Sequence, residues 1–320
     1  MSRVKRWFST AAAALCSYAG QDEPASAIRR CADTLLAHAG ATEPPVDLNL
    51  LASCQRVRKI EHVEMVEAGR LIPDGDGYVI QVNARHPDGK RRFTVGHEIC
   101  HTFFNEAHQS SRGSIDMTTG LFDIREEEEY LCDVGAAHLL LNPRWLLPMA
   151  ESRNPSLEAL LEIARACAAS IEATAFEVAQ AGCWPCTFVF WEPGFRKSER
   201  VASEQVAFEG WEDVAQPRPK LRASRVYGAD GTPFIPKNKS VSFESGIYRS
   251  LVEETHTEGE ESFEVGRRTV QAWCHSDYMP YYDDTGALRP RVVSCIVWER
   301  APRTLAGTTR TLGEIHALAS

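Results

Sequence analysis

Two imidazoles four residues apart, with a carboxylate between them, stand at His97-Glu98-Ile99-Cys100-His101. An α-helix turns about 100° per residue, so His97 and His101 fall roughly 40° apart on one face, one turn along the axis. Both can then reach one metal ion. Glu98 is rotated off that face by one residue, which places a base beside the metal's water position without making it a ligand. The chemistry open to such a set is zinc-assisted hydrolysis of a peptide bond. The competing reading is a helix with two histidines on its buried face, hydrogen-bonded to carbonyls and binding nothing.

A hydrolytic site of this kind needs a third protein ligand. His108 invites the H-E-x-x-H-x-x-G-x-x-H pattern, but Phe104 stands where glycine should bend the chain and His108 comes one residue late. Downstream, the run from Arg125 to Leu141 has helical spacing, acidic residues in its first turn where the helix dipole favours them, and Pro143 just beyond. Glu129 and Asp133 share one face of that helix. Glu129 is the expected third ligand, with Glu128 and Glu126 as alternatives, and Asp133 is expected to orient a ligating histidine. A solvated acidic face explains Glu126 to Glu128 but not Asp133, which sits among Leu131, Cys132, Val134 and an alanine pair.

The pair of motifs resembles the ImmA/IrrE family of zinc metallopeptidases. The resemblance rests on Arg92-Phe93-Thr94 followed by His97-Glu98-Ile99-Cys100-His101, then Glu129, Cys132, Asp133, Ala136, Ala137 and Leu139-Leu140-Leu141-Asn142-Pro143, and it covers about residues 25 to 192. An extra leucine precedes Asn142, and His138 stands where the family usually has an acid. The resemblance implies a zincin-like fold, a Zn2+ cofactor, and limited proteolysis of a regulatory protein, commonly a repressor, in stress or phage defence.

Around these motifs, residues 26 to 39 read as an amphipathic helix closed by Gly40, and Asp47 as the cap of a short second one. Between Val57 and Asn83, β-type runs split by Asp74-Gly75-Asp76-Gly77 read as a small antiparallel sheet with a hairpin. Residues 78 to 83 are either a substrate-holding edge strand or an interior one. Serines open two helices near 156 to 167 and 170 to 180, and a strand follows at 186 to 191. From about residue 200, short β-type runs alternate with Pro, Gly, Asn and Asp. The expectation is an α+β protein with an N-terminal arm at 1 to 24 and a zincin-like peptidase domain at 25 to 192. A mainly antiparallel β domain at 200 to 320 follows, as a sensor or partner-binding unit.

Its aromatics, Trp273, Tyr278, Tyr281, Tyr282 and Trp298, fit a sheet core better than a ligand pocket. A basic stretch from Arg218 to Lys239 and an acidic one from Glu253 to Glu264 read as solvated faces or a partner surface. Cys183-Trp184-Pro185-Cys186 could join Cys274, His275 or Cys295 in a second, structural metal site, although one C-x-x-C is weak support.

A net charge of −9 argues against direct nucleic-acid binding. The basic N-terminus with its alanine run resembles a signal peptide only superficially, and no apolar run spans a membrane, so a cytoplasmic protein is expected. Ten cysteines without regular spacing suit reduced, buried thiols. The sequence reading is a zinc endopeptidase cutting a regulatory, repressor-like or defence-related protein, with Glu98 as general base. Its alternative is a regulatory binding module that keeps the zincin fold and holds a partner without cleaving it.

Overall fold

The computed structural model describes residues 10–110, 123–196, 218–266, 268–283 and 286–298. Its first helix, α1 (Thr10–Ala19), lies within the segment read as an N-terminal arm, and from Thr10 onward that segment is a packed helix. Alanines without bulk let α1 approach closely, so Ala11, Ala12 and Leu15 are buried in the main core. Helix α2 (Pro24–His38) starts with Glu23 accepting from the Ser26 amide and buries the stripe Ile28, Cys31, Ala32, Leu35 and Leu36. Asp47 caps α3 (Leu48–Cys54) by accepting from the amides of Asn49 and Leu50.

Strands β1 (Val57–Val63), β2 (Gly69–Asp74) and β3 (Gly77–Asn83) form a three-stranded sheet in the order β1-β3-β2. The β2–β3 hairpin is antiparallel and turns at Gly75, whose φ of 63° suits glycine. The sheet is mixed, however, because β1 pairs parallel with β3. The chain leaving β1 passes beyond the end of β3 before β2 begins, which puts β1 and β2 on opposite edges. Residues 78 to 83 are therefore an interior strand, and the edge nearest the H-E-x-x-H helix belongs to β2.

Helix α4 (Asp88–Ser110) carries that motif and buries Val95, Ile99, Cys100, Phe103 and Phe104. Each of its fully buried large side chains contributes about 1.5–3 kcal/mol of apolar transfer. Against it packs α5 (Asp123–Leu140), followed by α6 (Pro143–Glu151), α7 (Leu157–Cys167) and α8 (Ile171–Ala181). Ser156 and Ser170 cap the last two as read from sequence. Helix α6 was not anticipated. Pro143 ends α5, but with Asn142 as N-cap it also occupies the first turn of a new helix, where a missing N–H costs nothing.

Strand β4 (Cys186–Gly194) lies second in a five-stranded antiparallel sheet, β5-β4-β10-β7-β6, built with β5 (Lys220–Gly228), β6 (Thr257–Val265), β7 (Arg268–Tyr278) and β10 (Val292–Trp298). The strand read as closing the N-terminal domain thus belongs to the C-terminal sheet. Its faces divide cleanly: Cys186, Phe188 and Phe190 join the helical core, whereas Val189 and Trp191 join a second core under α9 (Gly246–Glu253). A two-stranded ribbon, β8 (Tyr281–Tyr282) with β9 (Leu288–Arg289), completes the described elements. Trp298 is buried in the second core, but Trp273 and Tyr282 are 46% and 69% exposed, so the aromatics are not one core cluster. The basic stretch is partly consumed internally: Arg222 donates to the carbonyls of Gly194 and Asn238, and Lys239 pairs with Glu264. No helix among the described residues is long and apolar enough to cross a membrane.

Candidate metal centre

The site begins with a close approach between two helices. Gly96 of α4 faces Ala136 of α5, and Gly135 has no room for a side chain: a Cβ there would stand 2.6 Å from Cys100 Sγ and 2.8 Å from Ile28 Cγ1. Small residues at the crossing draw α5 inward, and its acidic face meets the histidines of α4. Arg92 secures the start of α4 by donating to the Val46 carbonyl.

His97, His101, Glu129 and Asp133 come together as the sequence suggested. His97 Nδ1 lies 2.9 Å from Asp133 Oδ1, and its Nε2 lies 3.0 Å from Glu129 Oε2. His101 Nε2 is 3.2 Å from His97 Nε2 and 3.7 Å from Glu129 Oε1. Glu128 takes a role the sequence reading did not give it, 2.9 Å from His101 Nδ1. The clue was available: a ligating histidine needs a partner on its other nitrogen, and Asp133 serves only one of the two.

Ionised carboxylates only accept, so each Nδ1 carries the proton it donates to Asp133 or Glu128. The two Nε2 atoms and the Glu129 carboxylate then converge as electron-pair donors on one spot, which demands a cation. Four-coordinate zinc with bonds of about 2.0–2.1 Å holds its donors about 3.3 Å apart. The observed separations of 3.0–3.7 Å match that spacing. In the metal-free molecule a proton fills the place: burial works against the imidazolium, but hydrogen bonds to Asp133 and Glu129 prevail and raise the His97 pKa to about 9.

Cys132 Sγ also lies within 4.8 Å of a donor nitrogen on each histidine. Its thiol is fully buried, and burial together with Cys100 and nearby glutamates pushes its pKa well above the ordinary value. That environment favours the neutral thiol, a poor ligand, over the thiolate. Glu129 already offers an ionised oxygen 3.0 Å from His97 Nε2 and leaves one side of the cluster open to solvent.

Glu98 is 6% exposed, and burial, outweighing the attraction of His101 and His97, raises its pKa. The Leu71 amide, on the free edge of β2, donates to its carboxylate. Gly69 brings that strand against α4: a Cβ there would stand 2.3 Å from Thr94 Cγ2 and 3.2 Å from Glu98 Oε1. His138 faces away, with Nε2 3.0 Å from Asp33 Oδ1 on α2. The Cys183/Cys186 pair does not assemble a second metal site among the described residues. Cys183 Sγ contacts the Ala181 carbonyl, and Cys186 is buried against Cys295 within the core.

Residues 56–178 match the family model described as IrrE N-terminal-like domain, which encloses every residue of this centre. Among curated proteins, the radiation response metalloprotease IrrE of Deinococcus radiodurans is 26% identical over 203 residues. That match spans 61% of this chain and 58% of the relative, less than two thirds of its length. A solved structure titled Mycobacterium tuberculosis transcriptional regulator superposes with a TM-score of 0.52 at 12% identity, over 90% of this chain and 80% of that one, which shows a shared fold alone. Residues 56–178, with both motif helices, are similar to the ImmA/IrrE family.

Proposed function

We propose that this protein is a zinc-dependent endopeptidase that makes limited cuts in a regulatory protein, a repressor or defence-related partner. The observation that supports it most is the approach of the Glu129 carboxylate to both imidazoles, Oε2 at 3.0 Å from His97 Nε2 and Oε1 at 3.7 Å from His101 Nε2, with those nitrogens 3.2 Å apart and Glu98 beside them. Those three residues would hold the ion, and Asp133 and Glu128 would fix the two imidazoles. Zinc supplies a Lewis acid that polarises a carbonyl and acidifies water.

Glu98 accepts the proton of the attacking water and passes it to the leaving amine. Its raised pKa brings its basicity closer to that task at neutral pH. The outer edge of β2, where the Leu71 amide is already taken by Glu98, offers its remaining backbone groups to an extended substrate, with the scissile bond next to Glu98.

The test uses the full chain with candidate repressors from the neighbouring genes. Cleavage should stop on chelation and return with Zn2+. Glu98→Gln should retain zinc and lose cleavage; a variant that still cut at the wild-type rate would remove Glu98 from the mechanism. A cellular phenotype that survives both His97→Ala and Glu98→Ala would instead assign the protein to partner holding.

A further inference from the structure

The five-stranded sheet carries a second set of metal-type donors that the centre above does not use. Glu258 on β6 pairs directly with His275 on β7, and Thr257 pairs with Ser276, so His256 falls opposite Asp277. Side chains alternate along a strand, which puts His256, Glu258, His275 and Asp277 on one face as a square. Thr257 and Ser276 point to the other face, where both are buried and Thr257 Oγ1 donates to the Gly246 carbonyl of α9.

Within the square, Glu258 Oε2 lies 3.4 Å from His275 Nδ1 and 3.8 Å from His256 Nε2. The three donor atoms sit within 4.8 Å of one another. Donors of a tetrahedral ion with bonds of about 2.0–2.2 Å stand about 3.3–3.5 Å apart, so Glu258 and His275 are already at that spacing and His256 moves closer to join them. His256 Nδ1 donates to Asp277 Oδ1 at 3.0 Å, which leaves the Nε2 lone pair facing Glu258. A carboxylate fixing the far nitrogen of a ligating histidine is the support that metal-bound imidazoles use.

The side chains of His256, Glu258 and His275 are 49%, 56% and 18% exposed, so the remaining coordination positions open to solvent. We propose that His256, Glu258 and His275 form a second, exchangeable site for a divalent transition-metal ion, with Asp277 as the positioning residue for His256. Two imidazoles and one carboxylate select Zn2+, Co2+, Ni2+ or Cu2+ over Mg2+ and Ca2+. Trp273, two residues from His275 on the same face and 46% exposed, is a built-in optical reporter.

Equilibrium dialysis of the full chain against Zn2+, with metal counted by mass spectrometry, tests the assignment. Wild type should bind two ions per chain, the tighter one lost in His97→Ala/His101→Ala and the weaker one in His256→Ala/His275→Ala. Asp277→Asn should weaken the second ion about 10- to 100-fold without displacing the first. Co2+ added to the zinc-loaded chain should quench part of the tryptophan fluorescence, and Trp273→Phe should abolish that part. Circular dichroism checks folding, and the single variant His256→Gln provides the same reading if the double variant unfolds. A second ion that persists in His256→Gln and the double variant, or a wild type whose only ion disappears in His97→Ala/His101→Ala, would overturn the site.

Discussion

A proton and a metal ion compete for one position in the α4–α5 site, and the competition has a predictable size. With the His97 pKa at about 9, nearly every metal-free molecule is protonated at pH 7. Zinc must displace that proton, so its apparent affinity should fall tenfold per pH unit below about 9 and stand roughly 100-fold under its limiting value at pH 7. The cost at pH 7 is about 2.7 kcal/mol, taking 1.36 kcal/mol per unit. Asp133→Asn removes the partner 2.9 Å from His97 Nδ1, which lowers the imidazole's basicity toward proton and metal alike. Its limiting affinity should drop about 10- to 100-fold, while the break in the pH profile moves below 9. The assay is Zn2+ competition with a chromophoric chelator across about pH 6 to 10, with proton release checked by calorimetry in buffers of different ionisation enthalpy. A flat profile in the wild type, or an unmoved break in Asp133→Asn, would refute this account of the site.

Other perturbations separate the elements. Glu129→Ala should abolish tight zinc binding whereas Cys132→Ala retains it, as metal analysis after dialysis would show; the reverse outcome would make Cys132 the third ligand. Gly135→Ala pushes a methyl group into Cys100 and Ile28 and should cost about 1–3 kcal/mol, seen as a lowered Tm, together with weaker zinc binding as α5 is displaced. In the chelated protein, the raised His97 pKa means that its stabilising contribution is complete below the unfolded value near 6.5 and is lost as pH rises through about 9. The Tm of the metal-free chain should therefore decline over that window, and His97→Gln should flatten the decline.

The parts legible in the sequence are those governed by local rules. The i, i+4 histidines, the Glu129/Asp133 face, and the caps at Asp47, Ser156 and Ser170 all depend on spacing within one element, and each assembles as read. What escaped depends on partners distant in the chain. Pro143 marks both a helix end and a helix start, and only the Asn142 cap distinguishes the second role. The hairpin at Gly75 announces itself, but the parallel pairing of β1 with β3 follows from where the connection passes. Strand β4 is buried on both faces, so no polar alternation shows which sheet it enters. His256 and His275 meet only because β6 and β7 adopt one register, which composition does not encode.

Helix α5 shows why the acidic partners of the histidines are so narrowly placed. Its Gly135 contacts α4 through Cys100 and α2 through Ile28, so one missing side chain sets its distance from both neighbours. One turn further on, His138 is tied to Asp33 of α2, and Asn142 donates to the same carboxylate at 2.9 Å. Burial works against the Asp33 anion, yet these hydrogen bonds keep its pKa below the ordinary value, so the tie is a charged one. The C-terminal end of α5 is thereby pinned while its middle is pressed against α4, leaving little freedom for rotation about its axis. A turn of 100° carries a side chain to the next residue's position, so even a fraction of that rotation would take Glu129 and Asp133 off His97. The His138–Asp33 pair, remote from the chemistry, thus helps hold the ligand geometry.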